Sequence, residues 1–421
     1  MAMEDLKAFN PYLERKGGDL LLEGVSLSDL AREFGTPLYV YSATYIRDRI
    51  RAYREAFPGA LICYAVKANF NPEIIRVASE EGAGADIVSG GELICALKGG
   101  VDTSKIVYAG VGKTPEEIEL AVSKDILLFN VESEEELFVL NDFAGKFGRK
   151  VRVAIRVNPD VDPKTHPYIA TGLRKSKFGI DIDLAPDLFR KARDLKNLDV
   201  AGIHCHIGSQ ILEVSPYGEA VEKVVKLYRD LVKEGFEIRY LDIGGGLGIR
   251  YRPEDVEPTP QDLAEVVGPK LEGVGATLIL EPGRSVVGNA GVLISRVQFV
   301  KDKGHKRFVI VDAGMNDLIR PSIYEAYHHI VPVEERYGDH LIADIVGPIC
   351  ETGDFLARDR RLPDLRRGDL IAVLSAGAYG FSMASHYNVR PRPAEVLVER
   401  GEARLIRSRE TYEYILYEKD Y

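Results

Sequence analysis

The chain has 421 residues and a mass of 46.7 kDa. That suits two or three domains of roughly 150 residues, or one barrel of about 250 with a companion. The 55 basic against 65 acidic residues leave −10 overall, which runs against the basic footprint of nucleic-acid binding. An anionic ligand must therefore be held by locally placed Arg, Lys or backbone N–H groups. Four scattered cysteines without C-x-x-C spacing support neither a disulfide framework nor a zinc or redox motif. The N-terminal MAMEDLKAFNPYLERKGGDL lacks an apolar signal stretch. No run approaches the roughly 18 apolar residues of a membrane span. The expectation is a cytoplasmic protein with no membrane and no nucleic-acid partner.

The first 34 residues carry one weak strand signal, GDLLLEG. From about residue 36 to residue 281, short apolar runs alternate with helical patterns. The runs are LICYAVK (61–67), GADIVSG (84–90), KIVYAG (105–110), ILLFN (126–130), VRVAIRVN (151–158), VAGIHCHIG (200–208), RYLDIGGG (239–246) and ATLILEPG (276–283). Runs that are apolar throughout suit parallel strands covered on both faces. Thr114 and Ser133, each with a Glu three residues later, read as helix N-caps. Eight alternations have the size and rhythm of a (β/α)8 TIM-type barrel; a doubly wound open sheet competes if fewer strands form. From about residue 284, SVVGNAGVLISRVQFVKDKGHKRFVIVDAG, DHLIADIVGPIC, GDLIAVLSAGAYG and AEVLVERGEARLIRS read as strands and turns. The fold class expected is α/β plus all-β: a barrel over 35–283, then a β-sandwich or Greek-key-like C-terminal domain. That second domain takes residues 284–421 and the first 34.

GVGKT (110–114) lacks the first glycine of a P-loop, and GGGLGI (244–249) lacks the third glycine of a dinucleotide fingerprint. The pairs His328–His329 and His204/His206 come without metal-type carboxylate spacing, so no metal is expected. The barrel's strand ends, where such enzymes carry their chemistry, hold a more telling set. Lys67 ends an apolar strand: it is either a snorkelling surface lysine or a desolvated amine able to form a Schiff base. Gly244, Gly245 and Gly246 let backbone N–H groups approach a phosphate, though glycines also serve a tight turn. Ser209 adds a hydroxyl there. His206, nearer the loop, suits stacking on a flat ring, while His204 reads as a hydrogen-bonded core histidine. Glu281 is a carboxylate for a ring nitrogen. Jointly these describe a site for pyridoxal 5'-phosphate.

YAVKAN (64–69), SGGEL (89–93), HIGSQ (206–210), DIGGGLG (242–248), EPGR (281–284), GPICETGD (347–354) and GAYGFSMASHYN (377–388) span nearly the whole chain. In that order they resemble the alanine-racemase-fold pyridoxal phosphate decarboxylases, the group acting on ornithine, arginine and diaminopimelate. RPSIYEAYH (320–328) and CETGD are similar to the substrate-reading motifs of the diaminopimelate branch; His386 departs from an Asn in that motif set. The resemblance implies that Lys67 binds the coenzyme and His206 stacks on it. Ser209, Gly244 to Gly246, Pro282, Gly283, Arg284 and Tyr379 would hold the phosphate, and Glu281 the ring nitrogen. It further implies that Arg284, Arg320, Tyr324, Glu351 and Tyr379 grip a small amino-acid substrate. Cys350 would donate a proton, from the partner subunit of a homodimer with shared active sites. From the residues alone, Cys350 stands out as a loop cysteine beside Glu351, whereas Cys63, Cys95 and Cys205 read as inert core thiols. The implied reaction is decarboxylation of meso-2,6-diaminopimelate to L-lysine, the last step of lysine biosynthesis. The alternatives are a related arginine, ornithine or carboxynorspermidine decarboxylase, an amino-acid racemase, or a non-enzymatic coenzyme carrier.

Overall fold

The computed structural model describes residues 3–163, 165, 176–336, 338 and 340–416. All eight apolar runs are strands, and here they are numbered in chain order: β1 Leu61–Ala65, β2 Gly84–Ile87, β3 Ile106–Tyr108, β4 Leu128–Val131, β5 Val151–Asn158, β6 Leu198–His204, β7 Tyr240–Asp242 and β8 Thr277–Leu280. Every neighbouring pair is parallel, and both the β8–β1 and the β4–β5 pairings form. The sheet therefore closes into an eight-stranded barrel, which disposes of the open-sheet alternative. A helix follows each of β1 to β7, the longest being Ser215–Lys233. Cys63, Val107, Leu128, Ala154, Ala201 and Ile279, drawn from six strands or their edges, pack together. That filled interior confines polar chemistry to the strand ends.

The chain separates into two compact units: residues 47–249 with 257–285, and residues 1–46 with 250–256 and 286–421. The second is built around the strand Gly291–Asp302. Its first half pairs with Leu38–Ser42 and Leu370–Val373, and its second half with Arg307–Val311. Among the described residues, nine strands join in this hydrogen-bonded network. An N-terminal meander, Leu13–Lys16, Asp19–Leu22 and Val25–Ser26, packs Leu13, Leu20 and Leu22 with Val292, Ile294 and Val396 in one apolar core.

Here the structure moves a boundary. Leu38–Ser42, expected at the start of the barrel segment, pairs antiparallel with Gly291–Asp302 and parallel with Ala394–Glu399. LYVYS is buried at all five positions, and a short run buried on both faces carries no periodic signal of which sheet owns it. Among the described residues, no helix is long and apolar enough to cross a membrane.

The GVGKT segment has a helix-starting role. Thr114 Oγ1 accepts the Glu117 N–H while Glu117 accepts the Thr114 N–H, a reciprocal cap on Pro115–Lys124. The Lys113 side chain is fully buried, its Nζ donating to the carbonyls of Gly110 and Asn130 and to Glu136. Ser133 caps the next helix, but its Glu136 turns to the Glu132 N–H instead. Thr114→Ala should lower stability by about 1 kcal/mol, seen as a lower urea midpoint at unchanged slope.

Candidate active site

Lys67 lies just past β1 in the turn Val66–Ala68, with its side chain 35% exposed. Its ammonium donates to the carboxylate of Asp86, which β2 holds fully buried. Burial and the nearby charge of Glu281 push Asp86 up to about 7, against the pull of Lys67. The SGGEL motif builds the adjoining helix start: Ser89 Oγ accepts the Glu92 N–H and Glu92 accepts the Val88 N–H.

On the other side of β1, β8 and then β7 deliver two more acids. Asp242 pairs in register with Ile279, so Glu281 follows two residues beyond. Asn130 Nδ2 from β4 donates toward both carboxyls, at 3.4 Å from Asp242 Oδ2 and 3.2 Å from Glu281 Oε1. Burial, then repulsion from Glu281, holds Asp242 well above the usual carboxylate range. Burial also disfavours charge on Glu281, but His204, Lys67 and Asp242 outweigh it and keep that carboxylate low and ionised. His204, expected as a hydrogen-bonded core histidine, is buried and stands with Nε2 3.4 Å from Glu281 Oε2. His204, Asp242 and Glu281 offer ligand atoms within 4.8 Å of one another, a spacing a metal could accept. The Gly244 N–H and the Asn130 amide already donate to these carboxyl oxygens, Gly244 to Asp242 and Asn130 to both acids.

His206 Nδ1 accepts the Gly245 N–H at 3.2 Å, which places any ring proton on Nε2. Burial, with the charges of Arg156 and Lys67, pushes this imidazole down to about 3 and so keeps it neutral. The glycine turn is tightly enclosed. Gly244 and Gly246 have φ of +70° and +112°, and a Cβ on Gly245 would sit 2.0 Å from the Glu281 carbonyl oxygen. Tyr217 OH donates to Gly245 O, and the Ile211 N–H donates to Gly246 O. Arg284, 5% exposed, donates through Nη2 to Ser209 Oγ at 3.1 Å. The Pro282 carbonyl accepts the Ala65 N–H, and Gly283 lies against Ala65 and Ala68. Lys67, His206, Ser209, Gly244 to Gly246 and the Glu281–Arg284 segment thus converge on one end of the barrel.

The second unit assembles its own group. Arg320, 6% exposed, opens the helix Arg320–Tyr324. Ser322 Oγ donates to Gly353 O, linking that helix to the CETGD turn. Asp354 accepts the N–H groups of Ile349 and Met315, and Asn388 Oδ1 accepts that of Cys350. Cys350 and Glu351 are exposed on this braced turn, and the Tyr387 hydroxyl meets Glu351. Tyr379 occupies a turn at φ +55°. His386, the departure noted above, pairs with Glu410 Oε2, which also receives Arg392. Cys63 and Cys205 are buried, with thiols pushed up by desolvation, Cys205 to about 12. Cys95 is partly exposed and so is no core thiol.

Residues 43–288 match the family described as "Pyridoxal-dependent decarboxylase, pyridoxal binding domain". Diaminopimelate decarboxylase of Aquifex aeolicus is 66% identical over 98% of this chain and 99% of that protein, and the Vibrio cholerae enzyme 50% identical over 94% and 95%. The chain belongs to the diaminopimelate decarboxylase family of pyridoxal-dependent decarboxylases. Among solved structures, the Helicobacter pylori diaminopimelate decarboxylase complexed with L-lysine superposes with a TM-score of 0.89 at 43% identity, covering 92% of this chain and 98% of that one.

The barrel residues of this decarboxylase fit the family's coenzyme by their chemistry. Lys67 offers an amine for an aldehyde, Glu281 an ionised carboxylate for a pyridinium and His206 a neutral flat face. The glycine turn, with no room for a Cβ, would leave bare backbone for a phosphate. Asp86 is visible from the sequence as a strand-end residue without an assigned role, whereas Asp242, Asn130 and the brace residues Asp354 and Asn388 are not singled out there. Asp86 and Asp242 did leave a signal there, as acids inside otherwise apolar strands.

His206 generates a pH prediction. An unfolded chain takes up a proton on this histidine near pH 6.5, whereas the folded one does so only near about 3. Its contribution to stability is therefore complete above about 6.5 and lost as pH falls toward about 3. Coenzyme-free His206→Gln should show a flatter decline of urea midpoint across that window than the parent. Gly245→Ala should cost about 1 to 3 kcal/mol through overpacking and weaken coenzyme binding in a fluorescence titration.

Proposed function

We propose that this chain is a carboxy-lyase that converts meso-2,6-diaminopimelate to L-lysine and CO2 with pyridoxal 5'-phosphate, at the end of lysine biosynthesis. The observation that carries the reading is the Lys67 ammonium set among buried acids, opposite an ionised Glu281 and beside the glycine turn. Bound pyridoxal phosphate supplies an aldehyde for the substrate amine and an electron sink for the pair left when CO2 departs.

The chain's own residues supply binding and proton control. Lys67 holds the coenzyme, and Asp86 keeps a counter-charge beneath the amine. Glu281 favours a protonated ring nitrogen because its own carboxylate stays ionised. His206 bears on the ring without adding charge. Ser209, Gly244 to Gly246, Pro282, Gly283, Arg284 and Tyr379 hold the phosphate. Arg284 and Arg320 take the carboxylate of the unreacting end, Glu351 its ammonium, and Tyr324 and Tyr379 line the substrate. Cys350 delivers a proton to the carbon that has lost CO2. The exposure of Cys350 and Glu351 on a braced turn supports a homodimer in which each copy lends this turn to its partner, and the proposed setting is the cytoplasm.

The substrate choice rests on charge. Arg320 is buried against an imidazole and a phenol ring, and a carboxylate with two parallel acceptors suits its planar fork. A substrate that gives a simple diamine has no such group to offer. CO2 release from a panel of amino acids tests the assignment: meso-diaminopimelate should be the preferred substrate, and preference for ornithine or arginine would replace it. Lys67→Ala should abolish the coenzyme's long-wavelength absorbance and all turnover; normal activity would end the coenzyme assignment. Arg320→Ala should lower kcat/KM for diaminopimelate about 10- to 100-fold, as expected for a lost hydrogen bond to a charged group. An equal loss on a substrate without the distal carboxylate would refute its role.

A further inference from the structure

Arg320 has an unusual neighbour. Its Nη1 lies 2.8 Å from Nε2 of His328, which is fully buried, and the other ring nitrogen, Nδ1, lies 2.9 Å from the Leu374 carbonyl oxygen. A carbonyl only accepts and a guanidinium only donates, so one tautomer alone satisfies both contacts. His328 carries its proton on Nδ1 and turns the Nε2 lone pair to Arg320. The imidazole ring meets Tyr251 edge-on, with centroids 5.1 Å apart, and Arg320 itself lies 4.4 Å above the same Tyr251 ring. One guanidinium is thereby fixed by a directional lone pair and by an aromatic face at once.

We infer that His328, backed by Tyr251, is a positioning residue that sets selectivity for the carboxylate at the substrate's unreacting end by holding the Arg320 guanidinium in one orientation. The inference rests on the reading of Arg320 as the carboxylate reader. A guanidinium can pivot about its long side chain, and losing that freedom on binding costs affinity. Here the ordering is built in before the ligand arrives. A histidine serves where a carboxylate would not: it orients the arginine without neutralising it, so the full positive charge remains for the ligand.

L-lysine keeps the carboxylate in question, and 1,5-diaminopentane lacks it. Calorimetric titration of both into the holoenzyme separates the effect on that carboxylate from general damage. His328→Phe keeps a ring against Tyr251 and removes both nitrogens. It should weaken L-lysine by on the order of tenfold or more, leave the diamine within about twofold, and raise KM for meso-diaminopimelate more than it lowers kcat. His328→Gln, whose amide can donate to Leu374 O and accept from Arg320, should recover most of the lysine affinity. Unchanged lysine affinity in His328→Phe, or equal losses for both ligands, would overturn the inference. If Arg320→Ala fails to weaken L-lysine, the reading of Arg320 itself is wrong. If Arg320→Ala weakens it and His328→Phe does not, only the role of His328 falls. Should His328→Phe not fold, Tyr251→Leu carries the same prediction of selective loss, and unaltered discrimination between the two ligands there would be equally decisive against it.

Discussion

An ammonium at the mouth of a greasy barrel must be balanced locally, and the balance at Lys67 organises the rest of the site. Its contact is Asp86, but Asp242 and Glu281 stand close behind. Two unit charges no more than 4.8 Å apart repel by about 3 kcal/mol at an effective dielectric near 20. That equals roughly two pK units, enough to keep a proton on one acid of the pair. The positions of His204 and Lys67, whose charges favour the ionised form of Glu281, decide which: burial and the Glu281 charge leave Asp242 neutral against its own N–H donors, and Glu281 stays ionised. A carboxylate that is always charged can stabilise a cation on the coenzyme ring; one that titrated with its neighbours could not do so dependably.

Backbone packing matters as much as charge. The glycine turn is laced to the HIGSQ loop through Ile211 and Tyr217 and to β8 through the Gly244 carbonyl. Its freedom from side chains is forced by the Glu281 carbonyl on one side and the Gly208 carbonyl on the other. The same contacts that demand glycine also set the spacing between the phosphate end and the ring end of the site. In the second unit, Asp354 does comparable work by accepting two backbone N–H groups that shape the Cys350 turn.

Much of this was legible before any coordinates. A lysine ending an apolar run, a triple glycine after another and a glutamate after a third are conspicuous because strands of a filled barrel leave charge only at their ends. The partners were less visible. Asn130 reaches Asp242 and Glu281 from β4, a strand that pairs with neither β7 nor β8, so its role exists only once the barrel closes. His204 is legible as a hydrogen-bonded core histidine, but a buried histidine in a strand does not say that its partner is Glu281. Leu38–Ser42 was placed in the wrong unit because five buried residues in a row have no polar face to betray their neighbours.

That misplaced strand has a consequence for how the polypeptide is made. Leu38–Ser42 leaves the ribosome ahead of the whole barrel, yet its two flanking partners, Gly291–Asp302 and Ala394–Glu399, emerge some 250 and 350 residues later. The barrel segment between them can close on its own neighbouring strands while the amino-terminal piece waits, and the waiting segment is apolar on both sides. Such long-range pairing is slow and leaves an unsatisfied edge meanwhile. During synthesis the hazard of misassociation therefore falls on Leu38–Ser42 and ends only when Ala394–Glu399 is available.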